Sequence, residues 1–220
     1  MKFKAAIFDL DGTLACTLPD LHACVNHMLE QNGYPIRTVE DVLKYVNGAE
    51  YGFIRSLLPE WVQDDRETVE RCVKEYSAYY GEHYCDITYL YEGLDRVLDA
   101  LKENGVWLAV HTNKKHLHAS GMVKKLVKDG VFDELVGEGI YKAKPDPEGA
   151  LILAEKAGAR PEEVCFIGDS NVDMETAKNA GMFALGVTWG YRPPEVLLET
   201  GADALADCAE DILKIFGLAE

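Results

Sequence analysis

Four short runs without helical periodicity constrain this chain more than any other feature: KAAIF (4–8), VWLAVHT (106–112), VCFIG (164–168) and MFALGVT (182–188). Dense in Val, Ile, Phe and Leu, they read as strands buried on both faces, the form strands take in a parallel sheet. Helical patterns lie between and after them at 92–104, 114–128, 147–157, 171–180, 194–200 and 207–217, several opened by Pro or a capping Asp. Strand and helix alternating in that order predict an α/β core with helices on both faces of the sheet.

Residues 16 to 86 break the rhythm. LPDLHACVNHMLEQNG, TVEDVLKYV, GAEYGFIRSLLP and DDRETVERCVKEYSAYYGEHY are successive helical patterns punctuated by Gly, Pro and Thr, with no strand between them. The predicted architecture is a Rossmann-like, doubly wound parallel sheet built from residues 1–15 and 87–220, carrying an inserted all-helical domain at 16–86. At 220 residues the chain is long enough for a buried core with such an insert.

The chain carries 22 basic and 38 acidic residues, a formal charge of −16. That balance argues against nucleic acid and anionic membranes as partners, since both are reached through clustered Lys and Arg. Its six cysteines (16, 24, 72, 85, 165 and 208) stand in no CxxC spacing and read as reduced thiols. The opening MKFKAAIFDLDG is too short and too acidic to read as a signal peptide, and no run approaches the roughly 18 apolar residues of a membrane helix. A cytoplasmic protein is expected.

In an open parallel sheet, ligands bind outside the carboxyl ends of the strands. The polar clusters fall there: DLDGT after the first strand, HTNKK after the second, KAKPDP before the helix at 147, and GDSNVD after the third. Asp9 and Asp11 flank Leu10, so extended backbone points both carboxylates to one side. Such a pair is tolerable against a divalent cation, and Asp169 and Asp173 add charge to the same pocket. Hard oxygen ligands suit Mg²⁺, and a Mg²⁺ site lets an acidic protein attract phosphate. Thr112, Asn113 and the backbone N–H groups of the Gly12-Thr13 turn can donate to phosphoryl oxygens. Lys144 can neutralise charge on a transferring phosphoryl group. Asp169 can also cap the helix that follows it.

These four clusters, DLDGTL (9–14), TN (112–113), KPDP (144–147) and GDSNVD (168–173), resemble the ordered motifs of the haloacid dehalogenase superfamily. The likeness covers essentially the whole chain, including a helical cap of the C1 type after the first motif. The tail GVTWGYRPPEVLLETGAD (186–203) and the stretch VNGAE (46–50) further resemble its phosphoglycolate phosphatase-like branch. The resemblance implies that Asp9 is the nucleophile that becomes an aspartyl-phosphate. It implies that Asp11 protonates the leaving oxygen and then activates water. Asp9, the backbone carbonyl of Asp11 and Asp169 would hold Mg²⁺, with Asp173 orienting the site or reaching the metal through water. Thr112 would bind phosphoryl oxygens with Asn113 supporting, and Lys144 would steady Asp9 and its phosphorylated form. Dehalogenases lack the second acid, so Asp11 favours phosphoryl transfer.

The insert is expected to choose the substrate, with Asn47, Gly48 and Arg55 as candidates and Arg55 able to pair with a carboxylate or second phosphate. The expected activity is hydrolysis of a small phosphorylated metabolite, 2-phosphoglycolate first. Alternatives on the same fold are a pyrophosphatase, a nucleotidase, a sugar-phosphate phosphatase and a β-phosphoglucomutase-like isomerase, while a non-catalytic binding protein would leave the filled motif positions unused. The expected assembly is a monomer or homodimer.

Overall fold

The computed structural model describes residues 2–46 and 50–219. Its strands are β1 (Ala5–Phe8), β2 (Ala15–Cys16), β3 (Tyr89–Leu90), β4 (Trp107–Lys115), β5 (Glu134–Glu138), β6 (Val164–Gly168), β7 (Phe183–Val187) and β8 (Ala204–Ala206). Six of them form one sheet in the order β5-β4-β1-β6-β7-β8, every neighbouring pair parallel. β2 and β3 form a separate two-stranded sheet. The chain divides into two compact units, residues 1–16 with 90–220, and residues 17–89.

The first run sits at the centre of the sheet because all four of its side chains, Ala5, Ala6, Ile7 and Phe8, are inaccessible to solvent. Ala5 and Ile7 share one buried cluster with Ala109, Phe166, Ala184, and Leu153 and Met174 of two covering helices. Ala6 and Phe8, which alternation turns to the opposite face, are equally buried. Each large side chain so buried contributes about 1.5–3 kcal/mol. Phe8 lies opposite Val110 of β4 and Ile167 of β6. The residues after these strands therefore leave the sheet side by side at its carboxyl edge.

The helices are α1 (Leu18–Gln31), α2 (Val39–Tyr45), α3 (Glu50–Leu57), α4 (Arg66–His83), α5 (Leu94–Glu103), α6 (His116–Leu126), α7 (Glu148–Lys156), α8 (Asn171–Ala180), α9 (Pro194–Glu199) and α10 (Ala209–Phe216). α5 buries Leu94, Val97, Leu98 and Leu101, an i, i+3, i+4, i+7 stripe. Within the 17–89 unit, Arg37 donates from Nε to Leu57 O at 2.6 Å and from Nη2 to Leu58 O at 3.0 Å, satisfying carbonyls at the end of α3. In the same unit the buried Asp20 carboxylate accepts from Ile87 N, Thr88 N and Thr88 Oγ1, which joins the first turn of α1 to the returning chain. Among the described residues no helix is long and apolar enough to cross a membrane.

Three features differ from the sequence reading. β5 and β8 were not expected: ELVGE carries a charge at each end, and ALA is too short to show a period. The second strand runs on to Lys115, beyond its expected end at 112 and into the start of the helix expected at 114–128, with its pairing to β5 shifting register between His111 and Lys115. The unit boundary falls at residues 16/17 and 89/90, against the expected 15/16 and 86/87.

Candidate active site

Asp9 follows β1 directly, its N–H donating to Ile167 O at 2.9 Å. Its carboxylate is buried, as is the ammonium of Lys144, which lies 2.8 Å from Asp9 Oδ1 and 2.6 Å from Asp173 Oδ1. Asp173 stands in the first turn of α8. Its other oxygen accepts from Ser170 N at 3.1 Å and Ser170 Oγ at 2.6 Å, so one residue serves both the helix cap and the lysine. The cap position belongs to Ser170 and not to Asp169: Ser170 is the residue with extended backbone and a hydroxyl facing the N–H of Asp173.

Asp169 is fully buried beside them, and Asp9, Asp169 and Asp173 each offer an oxygen within 4.8 Å of the other two. Burial first, then Asp173, push the Asp9 carboxyl up to about 7 against the pull of Lys144. Burial, Asp173 and Asp9 push Asp169 well above the usual carboxylate range. Burial alone would lower Lys144, but Asp173 and Asp9 overrule it and hold it raised. Three buried carboxylates face a single ammonium, so acidic groups outnumber the cationic one in a site that burial keeps from solvent. That excess, presented by oxygen atoms alone, fits a divalent hard cation.

Asp169 is clamped from two sides. Thr13 Oγ1 donates to its Oδ1 and Tyr191 N to its Oδ2, each at 2.8 Å. Gly12 and Gly190 close on it so tightly that a Cβ on either would stand 2.7 Å or 2.6 Å from Asp169 Cγ, and Gly12 also holds φ at +84°. Trp189 Nε1 donates to Thr13 O at 3.1 Å, tying the 189–191 turn to the DLDGT turn. Sequence reasoning quoted TWGY within the tail but gave it no role.

At the end of β4 the three residues Thr112, Asn113 and Lys114 each engage something different. The buried Thr112 accepts at Oγ1 from Lys114 N at 3.2 Å. Asn113 Nδ2 donates to Lys144 O at 3.0 Å and its Oδ1 accepts from Lys144 N at 2.8 Å. This reciprocal pair uses the amide that was expected to meet phosphoryl oxygens; Asn113 sets the backbone of Lys144 instead. Lys114 Nζ lies 2.8 Å from Asp11 Oδ1, a contact the sequence reading missed. Directly before them, His111 is buried with its Nδ1 unpartnered among the described residues, and a Cβ on Gly149 would stand 2.7 Å from its Nε2. Burial, then the charge of Lys144, keep this imidazole neutral and lower it to about 3.

The Gly12 and Thr13 N–H groups are also committed, to Ala15 O at 2.9 Å and Leu10 O at 3.4 Å, because the DLDGT turn closes on itself. These bonds do not support their expected role as phosphate donors. Among the described residues, the N–H groups of Leu10 and Asp11 take no part in that turn's hydrogen bonds.

Of the residues expected to choose the substrate, Asn47 and Gly48 lie outside the described residues. Arg55 is engaged locally: its Nε donates to Gln63 O and its Nη2 to Asp64, each at 2.8 Å, which fastens α3 to the turn after Glu60–Val62. A guanidinium spent on its own unit in this way does not support the expected pairing with substrate.

An open parallel sheet with buried carboxylates and a lysine at its carboxyl edge defines the class as an α/β protein with an acidic, metal-fitting centre. The chain belongs to the haloacid dehalogenase-like hydrolases, whose family pattern matches residues 6–187. It is 35% identical to the phosphoglycolate phosphatase of Mannheimia succiniciproducens, over 97% of this chain and 98% of that one. It is equally identical, with the same coverage, to the phosphoglycolate phosphatase of Haemophilus influenzae strain 86-028NP. The crystal structure of a predicted phosphoglycolate phosphatase from Haemophilus somnus 129pt superposes with a TM-score of 0.88 at 32% identity, covering 98% of this chain and 99% of that one. The protein is a phosphoglycolate phosphatase-like member of its family, a phosphatase with a small phosphorylated substrate. Family phosphatases are generally metal-dependent, in keeping with the acidic triad.

Proposed function

We propose that this chain is a Mg²⁺-dependent phosphomonoesterase working through an aspartyl-phosphate on Asp9, with 2-phosphoglycolate as its substrate. The observation that carries the mechanism is the buried Asp9–Lys144–Asp173 chain beside Asp169: a buried carboxylate held against a fixed ammonium is a nucleophile whose attack has little solvent to displace. The substrate is supported by the named activity of relatives that match nearly the whole chain.

Asp9 attacks phosphorus while the bond from phosphorus to the leaving oxygen breaks, and Asp11 gives its proton to that oxygen. The Asp11 carboxylate then takes a proton from water, whose oxygen attacks phosphorus and breaks the bond to Asp9, freeing phosphate. Lys144 offsets the charge gathering on the phosphoryl group, and Thr112 Oγ1 with the N–H groups of Leu10 and Asp11 donates to its oxygens. Asp9, Asp169 and the backbone carbonyl of Asp11, with Asp173 behind them, would hold a divalent cation that supplies positive charge where nucleophile and phosphoryl group meet. The 17–89 unit is assigned the choice of leaving group. Six cysteines with no disulfide among the described residues support a reducing, cytoplasmic setting.

A panel of phosphorylated metabolites ranked by kcat/KM with Mg²⁺ tests this reading. 2-Phosphoglycolate should head the ranking, and a nucleotide, pyrophosphate or sugar phosphate exceeding it by about tenfold would reassign the substrate. Interconversion of hexose monophosphates with a bisphosphate primer would mark an isomerase instead.

A further inference from the structure

We propose that Lys114 is a positioning residue for Asp11, fixing the carboxylate that carries the proton to the leaving group. This rests on the assignment of Asp11 as acid and base. Asp169 and Asp173 are each held by two neighbours from different parts of the chain, and Asp9 by Lys144, whose backbone Asn113 fixes. Asp11 differs: among the described residues, the only side chain its carboxylate meets is Lys114, at 2.8 Å.

The contact is sheltered, with 7% of the lysine side chain and 14% of the aspartate side chain exposed, so it escapes the screening that makes most surface pairs worth little. The lysine is also anchored. Its N–H donates to Thr112 Oγ1, and its neighbour Asn113 grips the backbone of Lys144 on both sides. A single strand end, where the pairing shifts register between His111 and Lys115, thus carries the partner of Asp11, the Thr112 hydroxyl and the amide that holds the Lys144 backbone. Without Lys114 the Asp11 carboxyl is still present and loses its aim. Misplacing a catalytic group by about 1 Å can cost roughly 100-fold.

A positioning role for an acid has a signature that a general structural role lacks, because it depends on the leaving group. An aryl phosphate releases a stable phenolate that needs little protonation, whereas an alkyl phosphomonoester releases an alkoxide that needs the proton in flight. The test compares kcat/KM on both esters for wild type, Asp11→Asn, Lys114→Met, Lys114→Arg and the Asp11→Asn/Lys114→Met double variant. Lys114→Met should lose about 100-fold on the alkyl ester and at least about tenfold less on the aryl ester. Lys114→Arg should recover most of the alkyl activity, since it can still reach a carboxylate. In the Asp11→Asn background, Lys114→Met should cost less than about threefold, since there is no carboxylate left to aim.

If Asp11→Asn itself shows no leaving-group dependence, the assignment of Asp11 fails. If Asp11→Asn shows it but Lys114→Met loses equally on both esters, or costs as much in the Asp11→Asn background as alone, the role of Lys114 is overturned. The double variant has no unpaired carboxylate at that place, so it reports even where Lys114→Met folds poorly.

Discussion

Lys144 Nζ stands between Asp9 Oδ1 at 2.8 Å and Asp173 Oδ1 at 2.6 Å, with 3% of the lysine side chain exposed. One ammonium therefore joins the end of β1 to the first turn of α8, and the nucleophile of the proposed reaction is oriented by a group that also offsets its charge. Asn113 holds the backbone on either side of that lysine, so the whole chain of contacts is set by the sheet edge.

Replacing Lys144 by Met leaves two buried carboxylates without their cation. Breaking a buried pair from one side costs about 3–5 kcal/mol, and removing a transition-state cation of this kind lowers kcat by about 100–1,000-fold. Chemical denaturation and steady-state kinetics on the same preparation check both. Retention of wild-type kcat would remove Lys144 from the chemistry.

The clamp on Asp169 predicts an unusually sensitive glycine. Gly190→Ala puts a methyl group 2.6 Å from Asp169 Cγ, so the carboxylate or the 189–191 turn must shift. Overpacking of this kind costs about 1–3 kcal/mol. The displaced carboxylate should also raise the Mg²⁺ concentration needed for half-maximal activity by about tenfold or more. A variant with an unchanged metal requirement would show that the turn does not set Asp169.

His111 predicts a pH dependence of stability. Its folded form titrates near 3 and its ordinary value is 6.5, so between those limits the unfolded chain binds the extra proton. Its contribution is fully present above 6.5 and is lost as pH falls toward 3. His111→Leu should therefore lose less stability than wild type between pH 7 and pH 5, as read from denaturation midpoints at both pH values. Parallel losses in the two proteins would contradict a neutral, buried His111.

Much of this organisation was legible in the residues. The central strands announced themselves as apolar runs because burial on both faces leaves no polar positions, and the polar clusters after them marked the carboxyl edge. That Asp9, Asp169, Asp173 and Lys144 converge was legible because the segments carrying them follow a strand or open a helix at one edge of the sheet. The edge strands β5 and β8 were not, since short, partly exposed strands carry no period. The use made of Asn113, Arg55 and the Gly12-Thr13 N–H groups was hidden for another reason. Spacing tells which donors are near a site and not what they bond: Asn113 turns to the distant Lys144, Arg55 to nearby Gln63 and Asp64, and the Gly12 and Thr13 N–H groups close their own turn. Lys114 fell in a cluster quoted for its neighbours, and its partner Asp11 lies about a hundred residues away along the chain.

The aspartyl-phosphate on Asp9 is tested most directly by acid-quenching the Mg²⁺-loaded enzyme during turnover of a radiolabelled phosphomonoester and mapping the label by peptide. The label should appear, alkali-labile, on the peptide containing Asp9, and Asp9→Asn should abolish both the label and phosphate release. Sustained phosphate release by purified Asp9→Asn, or label on any other residue, would contradict the account.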